Sequence, residues 1–252
     1  MLQAIVWGVV QGITEFLPIS SDGHLVLVPA FLNIEQPTLA ITAVLHLGTL
    51  VAVIAYFRRD LANLIHFRTD PAARRMLVLM VIATVPAFGA LLVEDVVTRL
   101  QQSVTATAIF LMLTGVVMLI ASSFPRGTRT IDQARPIDAA TIGIAQVLAI
   151  LPGLSRSGMT ISTGMGLGFG QVEAARLSFL LGVPAVAGAG LLELGKLAGA
   201  GGVPASTWVG VAVAAITGYL AIAVLLRLLA RTGLIGFAIY CLVVGAIALL
   251  VL

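Results

Sequence analysis

The chain is poor in charge. Its 252 residues include 14 Lys and Arg and 11 Asp and Glu, one residue in ten, where a soluble domain of that size carries roughly a quarter. A soluble globular fold is excluded. Cysteine is nearly absent. Cys241 alone, inside an apolar run, rules out an intrachain disulfide and a cysteine metal site, and reads as a packed core residue. No Lys or Arg precedes Arg58, so residues 1–10 lack the basic region of a cleavable signal peptide, and the mature chain is expected to begin at Met1. The basic residues sit in short clusters between apolar stretches rather than along one face. The pI near 9.6 therefore reflects membrane topogenesis, and a nucleic-acid partner is disfavoured.

What the chain has in abundance is apolar length. Hydrophobic residues make up 60% of it and the mean hydropathy is +1.11, which predicts an all-α integral membrane protein forming a single membrane domain over 1–252. Continuous apolarity between charged or Pro/Gly-rich breaks predicts six spans: Leu39–Phe57, Met76–Val93, Thr105–Ser122, Val172–Leu192, Thr207–Leu226 and Leu234–Leu252. Two stretches remain, Met1–Thr38 and Ala139–Gly170. Both are apolar yet interrupted midway by Pro, Gly, Ser and ionisable residues, the pattern of re-entrant pairs of half-helices.

Arg58, Arg59, Arg68, Arg74 and Arg75 follow the first span, Arg126, Arg129 and Arg135 the third, and Arg227 and Arg231 the fifth. Ten of the 14 basic residues thus mark one side, which the positive-inside rule makes cytoplasmic. The opposite loops carry Glu94, Asp95 and Arg99, then Glu193 and Lys196. The first interrupted segment then enters from the outer face and the second from the cytoplasm. The expected fold is an inverted-topology repeat, approximately 1–122 and 139–252, joined by a cytoplasmic linker at 123–138. The interrupted segments also match as text: the run from Gln11 to Gly23 and the run from Gln146 to Gly158 each pass through Gln, Leu-Pro, Ser and Gly. Broken helices in inverted repeats commonly build a midplane site.

Gln11 and Glu15 are i and i+4, so both polar heads share one face of the first half-helix. A carboxylate within an apolar segment is expensive and points to function, against the plainer reading of a cap or an interhelical pair. Pro18-Ile-Ser-Ser-Asp-Gly-His24 then gathers two hydroxyls, a carboxylate and an imidazole at a helix break. An ordinary N-cap explains one of Ser20, Ser21 and Asp22 and leaves His24 unexplained. The second break, Pro152-Gly-Leu-Ser-Arg-Ser-Gly-Met-Thr160, offers Gly153 and Gly158 for tight turns with free amides, donors on Ser155, Ser157 and Thr160, and a guanidinium fork on Arg156. The plainer reading of Arg156 is a buried pair with Glu15. A serine, a histidine, a carboxylate and an anion clamp together make a phosphoryl-transfer set. A transporter or flippase of lipid-linked phosphate would use the same midplane anion site without reaction.

These two motifs resemble the undecaprenyl-diphosphatase (bacitracin-resistance) family of membrane phosphatases. Leu45-His-Leu-Gly-Thr49, Tyr56-Phe-Arg-Arg-Asp60 and the run from Glu173 to Leu181 extend the likeness over nearly the whole chain. The resemblance implies hydrolysis of a polyprenyl diphosphate to the monophosphate lipid carrier for cell-wall synthesis, in the plasma membrane, with the site open to the outer face. It maps an acidic motif onto Gln11 and Glu15, a serine nucleophile onto Ser21, a histidine onto His24, and a phosphate-binding arginine onto Arg156, with Ser155 and Thr160 beside it. One position departs: Asp22 stands where the family usually has Ser or Thr. That added charge implies either a divalent cation, Mg2+ or Ca2+, held by Glu15 and Asp22, or a substrate that differs from the family's usual one. A homodimer is left open. His46, within a span, reads as a satisfied core histidine, and His66, in the basic loop, as solvated.

The arginine asymmetry yields a topological expectation. In a Cys241-free background, a cysteine placed in the Arg58–Arg75 loop is shielded from an impermeant external thiol reagent, whereas one near Gln101 is labelled. Labelling of the first alone reverses the orientation, and labelling of both means dual insertion.

Overall fold

The computed structural model describes residues 1–92, 97, 99–100, 103–199 and 203–252. Among the described residues eleven α-helices follow in order: α1 (Leu2–Phe16), α2 (Ser21–Leu32), α3 (Leu39–Tyr56), α4 (Arg58–Asn63), α5 (Pro71–Thr84), α6 (Val104–Ser122), α7 (Pro136–Leu148), α8 (Arg156–Gly166), α9 (Gln171–Gly199), α10 (Ala205–Arg231) and α11 (Ile235–Val251). Short 3₁₀ segments lie at Leu64–His66, Val85–Leu92 and Ile131–Gln133. There is no strand among the described residues, only an isolated bridge between Arg129 and Phe169.

Among the described residues three helices are long and apolar enough to cross a membrane, α6, α10 and the Gln171–Leu192 part of α9; Ala40–Tyr56 with Arg58–His66, bent by 76°, counts as a fourth where the bent pair is one span. Further shorter apolar helices are α2, α7 and α11. Large apolar side chains such as Val51, Ile216, Leu220 and Leu250 point outward, as they do when the solvent is lipid. Inside, small residues set the helix spacing. A Cβ on Gly8 would strike the Gly210 carbonyl, and one on Gly12 would strike Thr217 and Ala214. Helix α1 therefore packs backbone to backbone on α10, the close approach that drives association where lipid removes the hydrophobic incentive.

The span expected over Met76–Val93 is not one α-helix. Helix α5 ends at Thr84 and the chain winds on as 3₁₀ through Leu92. Pro86 supplies the reason: it offers no N–H and its ring opposes the carbonyl four residues back, and it also biases Val85 away from helical geometry. Val93, Glu94, Asp95 and Gln101 lie outside the described residues. Cys241 is fully buried, its thiol directed at the Pro18 carbonyl at 3.7 Å.

Each interrupted stretch is a pair of helices around a sharp turn, α1 with α2 and α7 with α8. At the first turn Leu17 is extended and Ser20 sits at φ 70°, a conformation that costs a non-glycine residue about 1–3 kcal/mol. At the second, Gly153 takes φ 97° without that penalty. Both second helices carry the same cap: Ser20 Oγ accepts from the Gly23 amide at 3.2 Å, and Ser155 Oγ from the Gly158 amide at 3.0 Å. The turns also serve each other. Ser157 Oγ donates to the Leu17 carbonyl at 3.1 Å and Ser20 Oγ to the Leu154 carbonyl at 3.5 Å, so backbone groups exposed by each break are satisfied by the other.

The 123–138 linker is held by a polar clasp. Arg129 reaches Asp138 Oδ2 at 2.5 Å and the Leu167 carbonyl at 2.7 Å, and lies 4.3 Å over the Phe169 ring. Arg135 adds its amide at 2.9 Å and its guanidinium at 3.3 Å. Glu173 caps the Ile131 amide and pairs with Arg176, which also reaches Asp60. Burial opposes the charge on Asp138, but hydrogen bonds from Arg129 and Arg135 outweigh it and hold the carboxyl down at about 2. A depressed carboxyl stabilises the fold above its unfolded value of about 3.9 and loses that stabilisation as pH falls through its folded value. Asp138→Asn is therefore expected to cost about 2 kcal/mol at neutral pH. Its melting temperature in detergent should lie several degrees below the parent's at pH 7, with the gap closing from pH 4 towards pH 2. A constant gap over that range would assign the loss to packing rather than charge.

Candidate functional site

The side chains converge on Glu15. The i, i+4 spacing on α1 brings Gln11 Nε2 to Glu15 Oε2 at 3.1 Å. The turn after α1 returns the chain so that Ser21, the first residue of α2, donates Oγ–H to the same oxygen at 2.6 Å. From α8, Arg156 Nη2 meets Oε1 at 2.5 Å, and from α3 His46 Nε2 stands 3.3 Å from Oε2. Four donors from four helices thus surround one carboxylate whose side chain is only 5% exposed, which is how a charge persists inside a membrane protein.

Arg156 fits because α9 presents Gly182 beneath it; a Cβ there would collide with the guanidinium and come within 3.4 Å of Gln146 Oε1. Glu15, Arg156, Thr49 and Gly182 form the polar part of a narrow cleft whose remaining wall is Phe16, Leu50, Val53, Phe179, Val183 and Val186. Two buried side-chain amide atoms near the ion pair have no hydrogen-bond partner, Gln11 Oε1 and Gln146 Nε2. Orphaned buried polar atoms are rare without a functional reason.

The other expected residues divide. Ser155 caps α8, donates its backbone N–H to Thr114 Oγ1 at 3.0 Å, and lies 3.2 Å from Ser157. Thr114 also donates to the Gly153 carbonyl at 3.1 Å. Thr160 donates to the Arg156 carbonyl at 2.7 Å and shares a 2.6 Å bond with Ser178. These hydroxyls hold the second turn in shape. A Cβ on Gly23 would sit 3.1 Å from Gly153 Cα, so the two turns touch at their glycines, and Gly158 yields the amide that closes the cap. Asp22 forms no hydrogen bond among the described residues yet interacts electrostatically with His46, Glu15 and Arg156.

His24 faces elsewhere. Its Nδ1 donates to the Ser20 carbonyl at 2.8 Å, while Nε2 meets the Tyr240 hydroxyl at 2.8 Å, with the rings stacked at 5.7 Å. Of Glu15 and His24, the group in contact with the Ser21 hydroxyl is Glu15. His46, read from sequence as a core histidine, is the imidazole on the carboxylate. Its position inside an apolar span was the available signal; Thr114, Ser178, Gly182 and Tyr240 gave none. Among the described residues no group of three or more His, Cys, Asp or Glu is arranged to hold a metal ion. Glu15 meets four donors, whereas Asp22 accepts no hydrogen bond among the described residues.

The family model described as bacitracin resistance protein BacA matches residues 4–247. An undecaprenyl-diphosphatase of Thermomicrobium roseum is 43% identical, covering 99% of this chain and 97% of that protein. Those of Pelobacter propionicus and Rubrobacter xylanophilus are 38% and 40% identical, covering 97% and 95% of this chain. With a full-length match of this kind around a buried carboxylate, serine and arginine, the chain belongs to the BacA bacitracin-resistance family.

Proposed function

We propose that this protein hydrolyses undecaprenyl diphosphate to the monophosphate lipid carrier and inorganic phosphate. The observation that carries the reading is the 2.6 Å bond from Ser21 Oγ to Glu15 Oε2 beside Arg156: a hydroxyl, an acceptor for its proton and a planar cation for the anion lie together at the head of a cleft with an apolar wall. That wall suits a polyprenyl chain, and the relatives named above carry this activity in their names. Ser21 Oγ attacks the terminal phosphorus, its proton passing to Glu15 as the O–P bond forms and the bridging P–O bond breaks, releasing the lipid monophosphate. Water then attacks the phosphoserine, frees phosphate and restores Ser21. Arg156, together with the backbone amides of Arg156 and Ser157 at the start of α8, which by position lack an intrahelical acceptor, offsets charge on the transferring oxygens. Gln146 Nε2, unpaired and near Arg156, is a further donor to those oxygens.

In this reading the chain spans a plasma membrane six times, and the α1/α2 and α7/α8 pairs are re-entrant hairpins of an inverted repeat, with the site open to the outer face. The shared Ser caps and reciprocal Ser-to-carbonyl bonds support it. A divalent cation, Mg2+ or Ca2+, would be held by Asp22 and the diphosphate itself, as such ions often bind through one carboxylate and substrate phosphates. It would neutralise charge between them.

Two outcomes test this reading. Ser21→Ala should fold, as judged by size-exclusion profile and thermal melt, yet release phosphate from undecaprenyl diphosphate at least about a thousandfold more slowly than the parent, because the covalent route is gone. Turnover near the parent's would give the attack to water, and no release by the purified parent would leave a transporter. A carboxylate about 4 Å from a phosphate charge costs roughly 4 kcal/mol in a partly screened site unless a cation intervenes. Asp22→Ser should accordingly shift the cation requirement in a chelator and magnesium or calcium titration at fixed ionic strength, with some activity kept. Superimposed titration curves would remove the metal from Asp22.

A further inference from the structure

Tyr240 is not among the residues that line the cleft, yet it holds the turn that presents Ser21. That turn is pinned at Ser20, whose backbone sits at φ 70°, and a non-glycine residue keeps such a conformation only where its surroundings over-determine it. They do so here. Ser20 Oγ caps the Gly23 amide and reaches the Leu154 carbonyl, while the Ser20 carbonyl accepts twice from His24, from the backbone amide at 3.1 Å and from Nδ1 at 2.8 Å. The next residue is Ser21, whose hydroxyl meets Glu15.

The imidazole is held at its far nitrogen as well. Nε2 meets the Tyr240 hydroxyl at 2.8 Å, and the two rings run within 11° of parallel. A phenol both donates and accepts, so it satisfies Nε2 whether or not that nitrogen carries a hydrogen. His24 is 5% exposed, and a ring nitrogen left there without a partner would favour turning the imidazole away from the Ser20 carbonyl.

The hydroxyl is itself set from behind. Helix α11 lies close on α6: a Cβ on Gly115 would strike the Ala238 carbonyl, two residues before Tyr240, and one on Gly245 would strike the Ala108 carbonyl and Met112. Beside Gly115, Thr114 holds the second turn through the Gly153 carbonyl and the Ser155 amide. The α6/α11 pair therefore reaches both turns from outside the cleft, whose lining comes from α1, α3, α8 and α9.

We propose that Tyr240 is a positioning residue which, through His24, fixes the Ser20 carbonyl and with it the place of the Ser21 hydroxyl against Glu15. Its kinetic consequence rests on the phosphatase reading; its consequence for the turn does not. Without the phenol hydroxyl the imidazole loses one of its two anchors, the strained residue loses a donor, and the nucleophile is no longer held at the acceptor of its proton.

Tyr240→Phe keeps the ring and removes the hydroxyl. Its kcat for undecaprenyl diphosphate should fall about tenfold with KM within about twofold of the parent's, because a displaced nucleophile slows the chemical step and leaves the contacts to the anion in place. In a Ser21→Ala background the same substitution should change the residual rate by less than about twofold, since no hydroxyl is left to aim. Hydrogen exchange read by mass spectrometry is a measure free of turnover. The segment 20–25, whose Gly23 and His24 amides bond to Ser20, should exchange at least about fivefold faster in Tyr240→Phe, with α9 and α10 unchanged. A parental kcat, a loss carried by KM, an equal loss in the Ser21→Ala background, or exchange at 20–25 that is unchanged or rises only together with α9 and α10 would each overturn the role. Should the purified parent release no phosphate, the phosphatase reading falls and exchange alone decides: loosening confined to 20–25 sustains the role of Tyr240, and an unchanged segment refutes it.

Discussion

The buried ion pair between Arg156 and Glu15 is the contact on which the rest of the structure depends. Each member comes from a different broken helical pair, and the two meet at 2.5 Å. Removing either ion from water costs several kcal/mol even after relaxation. The structure offsets that cost by crowding donors onto the carboxylate and by clearing the surface of α9 at Gly182 so the guanidinium can lie flat. Either charge without the other would be uncompensated in an apolar interior, so both helix breaks must form together and in contact.

That requirement explains the construction of the turns. Irregular backbone at membrane depth survives only where protein satisfies it, and here the satisfaction is mutual: Ser157 serves the Leu17 carbonyl and Ser20 the Leu154 carbonyl. The strain at Ser20 and the collisions a Cβ would cause at Gly153 belong to the same arrangement. Around it, α1 reaches α10 through Gly8 and Gly12, which fixes the register of Glu15 relative to α3 and therefore to His46. Small residues far from the chemistry set the distances within it.

Polarity inside and apolarity outside also divide labour between site and envelope. The outward faces of α3, α6 and α10 meet lipid and carry no chemistry, while the cleft beside Glu15 has a polar head and a wall of Val, Leu and Phe. The Asp138 clasp lies apart from the cleft, closing the linker onto the Leu167 and Phe169 turn that leads into α9. Through α9 it anchors the helix on which Arg156 rests.

Much of this was legible in the chain alone. Low charge and continuous apolar runs determined a helical membrane protein, because a bilayer leaves an α-helix few alternatives. The i, i+4 spacing of Gln11 and Glu15 determined that they share a face, and Pro, Gly and Ser clusters marked both breaks, since these properties are local to one stretch of backbone. The end of α5 near Pro86 was legible in principle, but apolarity masked it. Which imidazole would reach the carboxylate was not legible. His24, six residues from Pro18 and embedded in the motif, turns to Tyr240 on the last helix; His46, within the first span, turns to Glu15. Their roles depend on which faces of α2, α3 and α11 point inward once α1 packs on α10. Likewise Ser155, Ser157 and Thr160 show the sequence only as donors, and their partners Thr114, Leu17 and Ser178 decide what they hold. Sequence determines the chemistry available and the local geometry that presents it. Tertiary structure decides which groups meet, because a hydrogen bond requires a separation of about 3 Å between residues that the chain may place more than two hundred positions apart.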